Sequence, residues 1–176
     1  MERILLPFTP FHLGPALLLG LLLLRYIDFP TFVVANIIVD IESFLVLALG
    51  LNYPLHGFLH TILGGSIIAL LLAMVMNEVR ELLSPLLSSF RLEQEVSFKG
   101  VLLASVFGVY LHILLDAPLY IDIQPFYPLD TNPFYVGSAS FGAAVYSLCT
   151  WCFLGAAVIY AIRLIMVWRE GTKVLR

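Results

Sequence analysis

The sequence predicts an all-α fold: a polytopic membrane helical bundle of about five transmembrane helices, with one further amphipathic helix at the interface. Three observations carry that prediction. Hydrophobic residues make up 61% of the 176-residue chain and charged residues 12%, with a mean hydropathy of +0.99, well outside the balance of a water-soluble domain. Apolar stretches of roughly 18–25 residues recur along the chain, each near the length that crosses ~30 Å of hydrocarbon. Cap and turn residues punctuate those stretches in the manner of helix ends. Residues 1–176 read as a single membrane domain. A net charge of −3 and the lack of any basic tract argue against a nucleic-acid partner.

The spans fall at 10–27, 30–50, 55–76, 100–118 and 139–167. Thr9-Pro10 supplies an N-cap and a first-turn proline for the first, and Pro15 is expected to kink it. Met1-Glu2-Arg3 ahead of an apolar run resembles a leader peptide. However, Arg25-Tyr26-Ile27-Asp28 stands where a small-residue cleavage site belongs, so the run is read as a retained helix. Phe29-Pro30 opens the second span and Gly50 closes it, Asn52-Tyr53-Pro54 opens the third, and Gly100 and Pro118 bracket the fourth. Between the third and fourth, Asn77 to Lys99 mixes charges with Val79, Leu82, Leu83, Leu86, Leu87 and Phe90, the pattern of an interfacial amphipathic helix. Tyr120 to Ser138 sets Pro125, Pro128 and Pro133 among aromatic residues, which suits an irregular loop at the aromatic belt or a lid over a lipid-facing site. Small residues in Phe141-Gly142-Ala143-Ala144-Val145 and Leu154-Gly155-Ala156-Ala157-Val158 suit close helix packing. Cys149-Thr150-Trp151-Cys152 has CxxC spacing, but inside an apolar helix both cysteines read as small packing residues.

Five spans put the termini on opposite faces. Arg25, Arg80, Arg91, Lys99, Arg169, Lys173 and Arg176 fall on one side and Arg3 alone on the other. The positive-inside rule therefore predicts a multi-pass cell-membrane protein with its N-terminus outside and its C-terminus cytoplasmic.

All the histidines of the chain, His12, His56, His60 and His112, lie in or beside these spans, accompanied by Asp40, Glu42 and Asp116. On the predicted topology these groups share one depth. His12 falls one turn below the outer end of its helix, and His60 about 9 Å below. His112 and Asp116 occupy the last two turns of the fourth span, with Asp40 and Glu42 about 12–15 Å below Gly50. His56 and His60, like His112 and Asp116, are four apart and share a helical face. Asp40 and Glu42 are about 200° apart on an ideal helix, so both reach one site only if it is wide or the helix is distorted. One then ligates while the other supports it or acts as a base. Three acids in low dielectric with no nearby lysine or arginine need compensation. A divalent cation provides it and uses the imidazoles. The expected metal set is His12, Asp40, Glu42, His56, His60, His112 and Asp116, with zinc, one or two ions, best matching these ligands.

The residues also resemble a known family, the predicted membrane-bound metal-dependent hydrolases, which include LexA-regulated bacterial inner-membrane proteins and archaeal relatives. The resemblance covers roughly the first 130 residues. It rests on Phe11-His12-Leu13-Gly14, Val39-Asp40-Ile41-Glu42, His56-Gly57-Phe58-Leu59-His60-Thr61, and His112-Ile113-Leu114-Leu115-Asp116 followed by Pro128. Two departures stand out. Glu42 ends a motif that often reads Pro-Asp-x-Asp, and Gly57 stands where the family often has arginine, which removes a phosphate-clamping side chain.

Together these readings imply a membrane-embedded metal-dependent hydrolase. Its water would be activated by the metal, with Glu42 or Asp40 as general base. Its substrate would be a lipid or lipid-linked ester, phosphoester or amide reached from the outer leaflet. A metal-ion or proton transporter is the competing class, but the inner half offers only Asn36 and Ser105 as a polar relay. A non-catalytic, metal-stabilised membrane protein is a further alternative. Haem is disfavoured because His56 and His60 on one face cannot clasp it from both sides. The sequence is silent on oligomeric state.

Overall fold

The structure, a computed structural model, describes residues 10–174, with side chains described through Arg169. Arg3, Thr9 and Arg176, which entered the topology and capping arguments, lie outside the described residues. A 3-10 turn at Pro10–His12 leads into α1 (Leu13–Leu22), followed by α2 (Phe29–Ile38) and α3 (Ile41–Leu49). A second 3-10 turn at Phe58–His60 precedes α4 (Ile62–Ser89), α5 (Phe98–Asp116) and α6 (Ala139–Val174). No strand occurs among the described residues. Four stretches are long and apolar enough to cross a membrane: Phe29–Leu49, Ile62–Ser89, Phe98–Asp116 and Ala139–Arg169. The stretch Pro10–Leu22 is shorter.

That short first helix corrects the expected span of 10–27. The chain turns at Leu23 to Ile27, where the side-chain amide of Gln94 donates to the carbonyls of Leu24 and Ile27 and its oxygen accepts the Phe29 N–H. Carbonyls and an amide N–H that a continuous helix would pair internally are satisfied by this one side chain. Asp28 then caps α2 by accepting the Thr31 N–H and hydroxyl, with Pro30 in the first turn.

The second expected span is interrupted once. The Asp40 N–H bonds the Ile37 carbonyl at 3.0 Å, a 3-10 step, before α3 resumes and ends at Gly50 in the left-handed conformation (φ 61°). The third helix opens not at Asn52-Tyr53-Pro54 but at Ile62, with Thr61 accepting the Gly64 N–H at 2.9 Å as N-cap. Residues 55–61 hold no α-helix, only the short 3-10 turn at Phe58–His60, so His56 and His60 do not share a helical face.

A separate interfacial helix over Asn77–Lys99 is also absent. α4 runs on to Ser89 because Met76, Val79 and Leu83 continue the apolar stripe that packs on the core, and no residue before Pro85 interrupts the ladder. The helix tolerates Pro85 and ends in a Schellman closure. Arg91 has φ 56°, its N–H bonds Ser88, and the Leu92 N–H reaches the Leu87 carbonyl at 2.8 Å.

α1, α4 and α6 run in one direction and α2 and α5 in the other. α2 packs tightly along α5, where a Cβ on Gly108 would lie 2.5 Å from that of Ala35. α4 covers the same pair through Ala69, Leu72 and Ala73 against Val101, Val109 and Ile113. α6 leans on α1, its Cys149 carbonyl 2.2 Å from where a Gly14 Cβ would sit. The buried Cys149 and its neighbour Cys152 are thus free cysteines on a packing helix, as their setting implied.

Candidate metal centre

Four chain segments end at one level of the bundle. The turn at Pro10–His12 brings His12, the interruption between α2 and α3 brings Asp40 and Glu42, the segment before α4 brings His56 and His60, and the last turn of α5 brings His112 and Asp116. Asp40 and every one of these histidines are at most 3% exposed, and Asp116 is fully buried.

Asp40, His60, His112 and Asp116 form the centre. One ligand atom from each lies within 4.8 Å of the others. Asp40 Oδ1 is 3.4 Å from His112 Nε2 and 3.8 Å from His60 Nε2, while Asp116 Oδ2 is 3.2 Å from His112 Nε2. His12 Nε2 adds to the edge, 3.1 Å from Asp116 Oδ1.

The tautomers decide what these distances mean. His112 Nδ1 lies 2.8 Å from the main-chain carbonyl of Asn36, which can only accept, so the ring proton resides on Nδ1. His60 Nδ1 faces Glu42 Oε2 at 3.5 Å, and His56 Nδ1 faces Asp122 Oδ1 at 2.9 Å. Each ring thus has an acceptor behind it for an Nδ1 proton, which leaves Nε2 available as a ligand atom. His56, His60 and His112 Nε2, Asp40 Oδ1 and both Asp116 oxygens are all buried without a hydrogen-bond partner. Lone pairs facing carboxylates repel unless a cation lies between them. Ligands at about 2.1 Å around a tetrahedral zinc lie about 3.4 Å from one another, a value that the observed separations of 3.2, 3.4 and 3.8 Å bracket. An acceptor behind each ring is also the usual support of a metal-bound histidine. The residues therefore fit a divalent ion.

The helix interruption explains how two acids only two positions apart serve one place. Asp40 offers Oδ1 to the front of the His60 ring, whereas Glu42 stands behind it and accepts the Leu59 N–H at 2.9 Å. Gly57 explains the missing arginine of the resembling family. A Cβ there would lie 2.1 Å from the Tyr53 ring and 2.7 Å from Glu42 Oε1, so a side chain would have to displace both.

Three contributors went unnoticed in the sequence. Asp122, from the loop after α5, accepts both the backbone N–H and the ring N–H of His56. Burial pushes its carboxyl upward, yet the hydrogen bond from His56 outweighs this and holds the pKa below the ordinary carboxylate value. Tyr120 packs on the His56 ring, centroids 4.2 Å apart, and the Asn36 carbonyl holds His112. Asp122 carried a signal, since it is an acid in an aromatic-belt loop within a stretch, residues 100–162, that has no lysine or arginine.

Comparison with known proteins agrees with the architecture. No curated protein and no solved structure matches this chain. The family described as YdjM inner membrane protein matches residues 6–174, nearly the whole sequence. The chain is therefore a member of the YdjM inner membrane protein family.

Proposed function

We propose that this protein is a membrane-embedded, metal-dependent hydrolase. Its substrate is a lipid or lipid-linked ester, phosphoester or amide taken from the outer leaflet. The observation that carries the reading is the convergence of the His60 and His112 imidazoles with two buried carboxylates, Asp40 and Asp116. Zinc, one ion on Asp40, His60, His112 and Asp116, suits this donor set. When bound, such an ion supplies Lewis acidity that activates water and polarises a carbonyl or phosphoryl oxygen.

The residues around it take distinct roles. Glu42 fixes the orientation of His60, so Asp40 serves as ligand and Glu42 as a positioning residue rather than as base. His56 Nε2, free and held in one tautomer by Asp122, is the group best disposed to accept a proton from water. His56 also lines a cavity of about 300 Å³ and packs against His60 with ring centroids 4.8 Å apart, which supports approach of a substrate from that side. A transport pathway is disfavoured by the layer beneath. The Ser105 hydroxyl is donated to the Ala69 carbonyl at 2.6 Å and the Asn36 amide to Phe32 at 2.9 Å, and their surroundings are Phe32, Ala104 and Val101.

The test combines metal analysis with a hydrolysis screen on purified full-length protein. Wild type should carry about one zinc per chain and cleave a short-chain lipid ester, phosphoester or amide. His56→Gln should keep the metal and lose turnover by roughly 10²–10⁴-fold. Metal below about half an equivalent would count against the centre. Ion flux in liposomes without any turnover would replace the hydrolase with a transporter.

A further inference from the structure

The cavity beside the metal centre has a chemistry of its own. It is lined by Tyr53, His56, Phe58, Asp122, Gln124 and Tyr127 among others, and no lysine or arginine is among its lining residues. About 300 Å³ is at the small end of ligand pockets, enough for a headgroup but not a whole lipid. Three aromatic rings surround it, with Phe58 and Tyr127 edge to face at 5.9 Å. Asp122 supplies a negative charge, its side chain 37% exposed and thus open to an occupant. His56 contributes a buried Nε2 without a partner. The surrounding sequence is as one-sided, since residues 26–79 and 100–162 contain no lysine or arginine. A carboxylate among aromatic faces attracts an ammonium group through charge and the ring quadrupoles. An anionic group placed against Asp122 would be repelled by it.

We propose that this cavity selects lipids by an ammonium headgroup, so that the enzyme's substrate class is an amine-bearing, zwitterionic membrane lipid. This rests on the hydrolase reading, because His56 lines the cavity and packs against His60 of the centre with ring centroids 4.8 Å apart. A lipid whose ammonium sits against Asp122 presents its adjoining phosphoester toward that shared wall. Its acyl chains remain in the bilayer, where Phe58 and Tyr127 belong to the aromatic belt.

The experiment measures binding of dioctanoyl phosphatidylcholine and phosphatidylethanolamine against dioctanoyl phosphatidylglycerol, using purified full-length protein in non-ionic detergent with metal content assayed in parallel. The ammonium lipids should bind about tenfold more tightly, the scale of one well-placed cation–π and charge contact. Asp122→Asn and Tyr127→Leu should each abolish that preference, and Tyr127→Leu should leave the metal content unchanged because Tyr127 touches no ligand. Choline or ethanolamine alone should compete far more weakly. Equal potency of the free amine would overturn the lipid assignment. Equal binding of phosphatidylglycerol, or a preference that survives both substitutions, would overturn the cavity's role while leaving a metal-loaded centre intact. A preference shown by protein that purifies without metal and hydrolyses none of these lipids would instead leave the cavity standing and remove the hydrolase reading.

Discussion

The ring N–H of His112 is held by the main-chain carbonyl of Asn36 at 2.8 Å, and that carbonyl is available because the Asp40 N–H, its helical partner, has moved to Ile37. One interruption of a helix therefore turns Asp40 toward the centre and fixes the tautomer of a histidine on another helix. Because the holding group is backbone, the Asn36 side chain is dispensable for it. Asn36→Leu should retain metal within about threefold in affinity. It should leave the melting temperature unchanged or slightly raised, since it removes a buried amide oxygen that has no partner. Metal titration and thermal unfolding of the variant check this.

Metal should also hold the bundle together. Chelation leaves Asp40 and Asp116 buried beside inward lone pairs, so a metal-free sample should unfold at a clearly lower temperature, and Asp116→Asn should recover part of the loss by removing one charge. Acidification works in the same direction. Protons compete for the imidazole nitrogens, so occupancy should fall as pH drops and return on neutralisation with added zinc. A melting temperature insensitive to both treatments would mean the charges are compensated in another way.

Glu42 separates support from ligation. Glu42→Gln keeps an oxygen that accepts the Leu59 and His60 N–H groups, whereas Glu42→Ala removes it. Metal affinity should change little in the first variant and fall roughly 10–100-fold in the second. Equal loss in both would identify the charge itself, and hence direct ligation, as what matters.

Gly57 is fixed by contact. Gly57→Ala forces its new methyl against Tyr53 and Glu42 and should destabilise the fold by about 1–3 kcal/mol. Gly57→Arg should prevent the site from assembling. Unfolding midpoints and metal content report both effects.

The orientation is open to labelling. A cysteine placed at Asp130 should react with an impermeant reagent from outside intact cells, and one at Glu93 only after permeabilisation. The reverse pattern would move the centre to the cytoplasmic leaflet.

Much of this architecture could be read from residues alone, for identifiable reasons. Hydropathy marks the spans, because lipid demands long apolar helices. The common depth of the seven polar groups followed from that count, and the i,i+4 pair His112 and Asp116 needed only helical periodicity. His56 and His60 met for a different reason than spacing suggested: they lie on an irregular segment whose path is set by Gly57, Tyr53 and the Thr61 cap, contacts that no periodicity reports. The continuation of α4 past Asn77 was obscured because charges at Glu78, Arg80 and Glu81 change a helix's surroundings without ending it. Asp122 reaches His56 across 66 positions, through a loop whose course depends on tertiary contacts such as the Ile62 N–H to the Pro125 carbonyl at 2.8 Å.

The strap formed by Gln94 lies at the opposite end of the bundle from the centre, and between them stand Ala104, Val101, Phe32, Leu72 and Ala73 without an open polar path. That apolar layer favours exchange of water and protons with the end of the bundle where the centre lies. If the proposed hydrolysis takes place there, it should be electrically silent, displacing no charge across the bilayer and drawing nothing from the proton-motive force, so that its rate in liposomes should not respond to an imposed membrane potential.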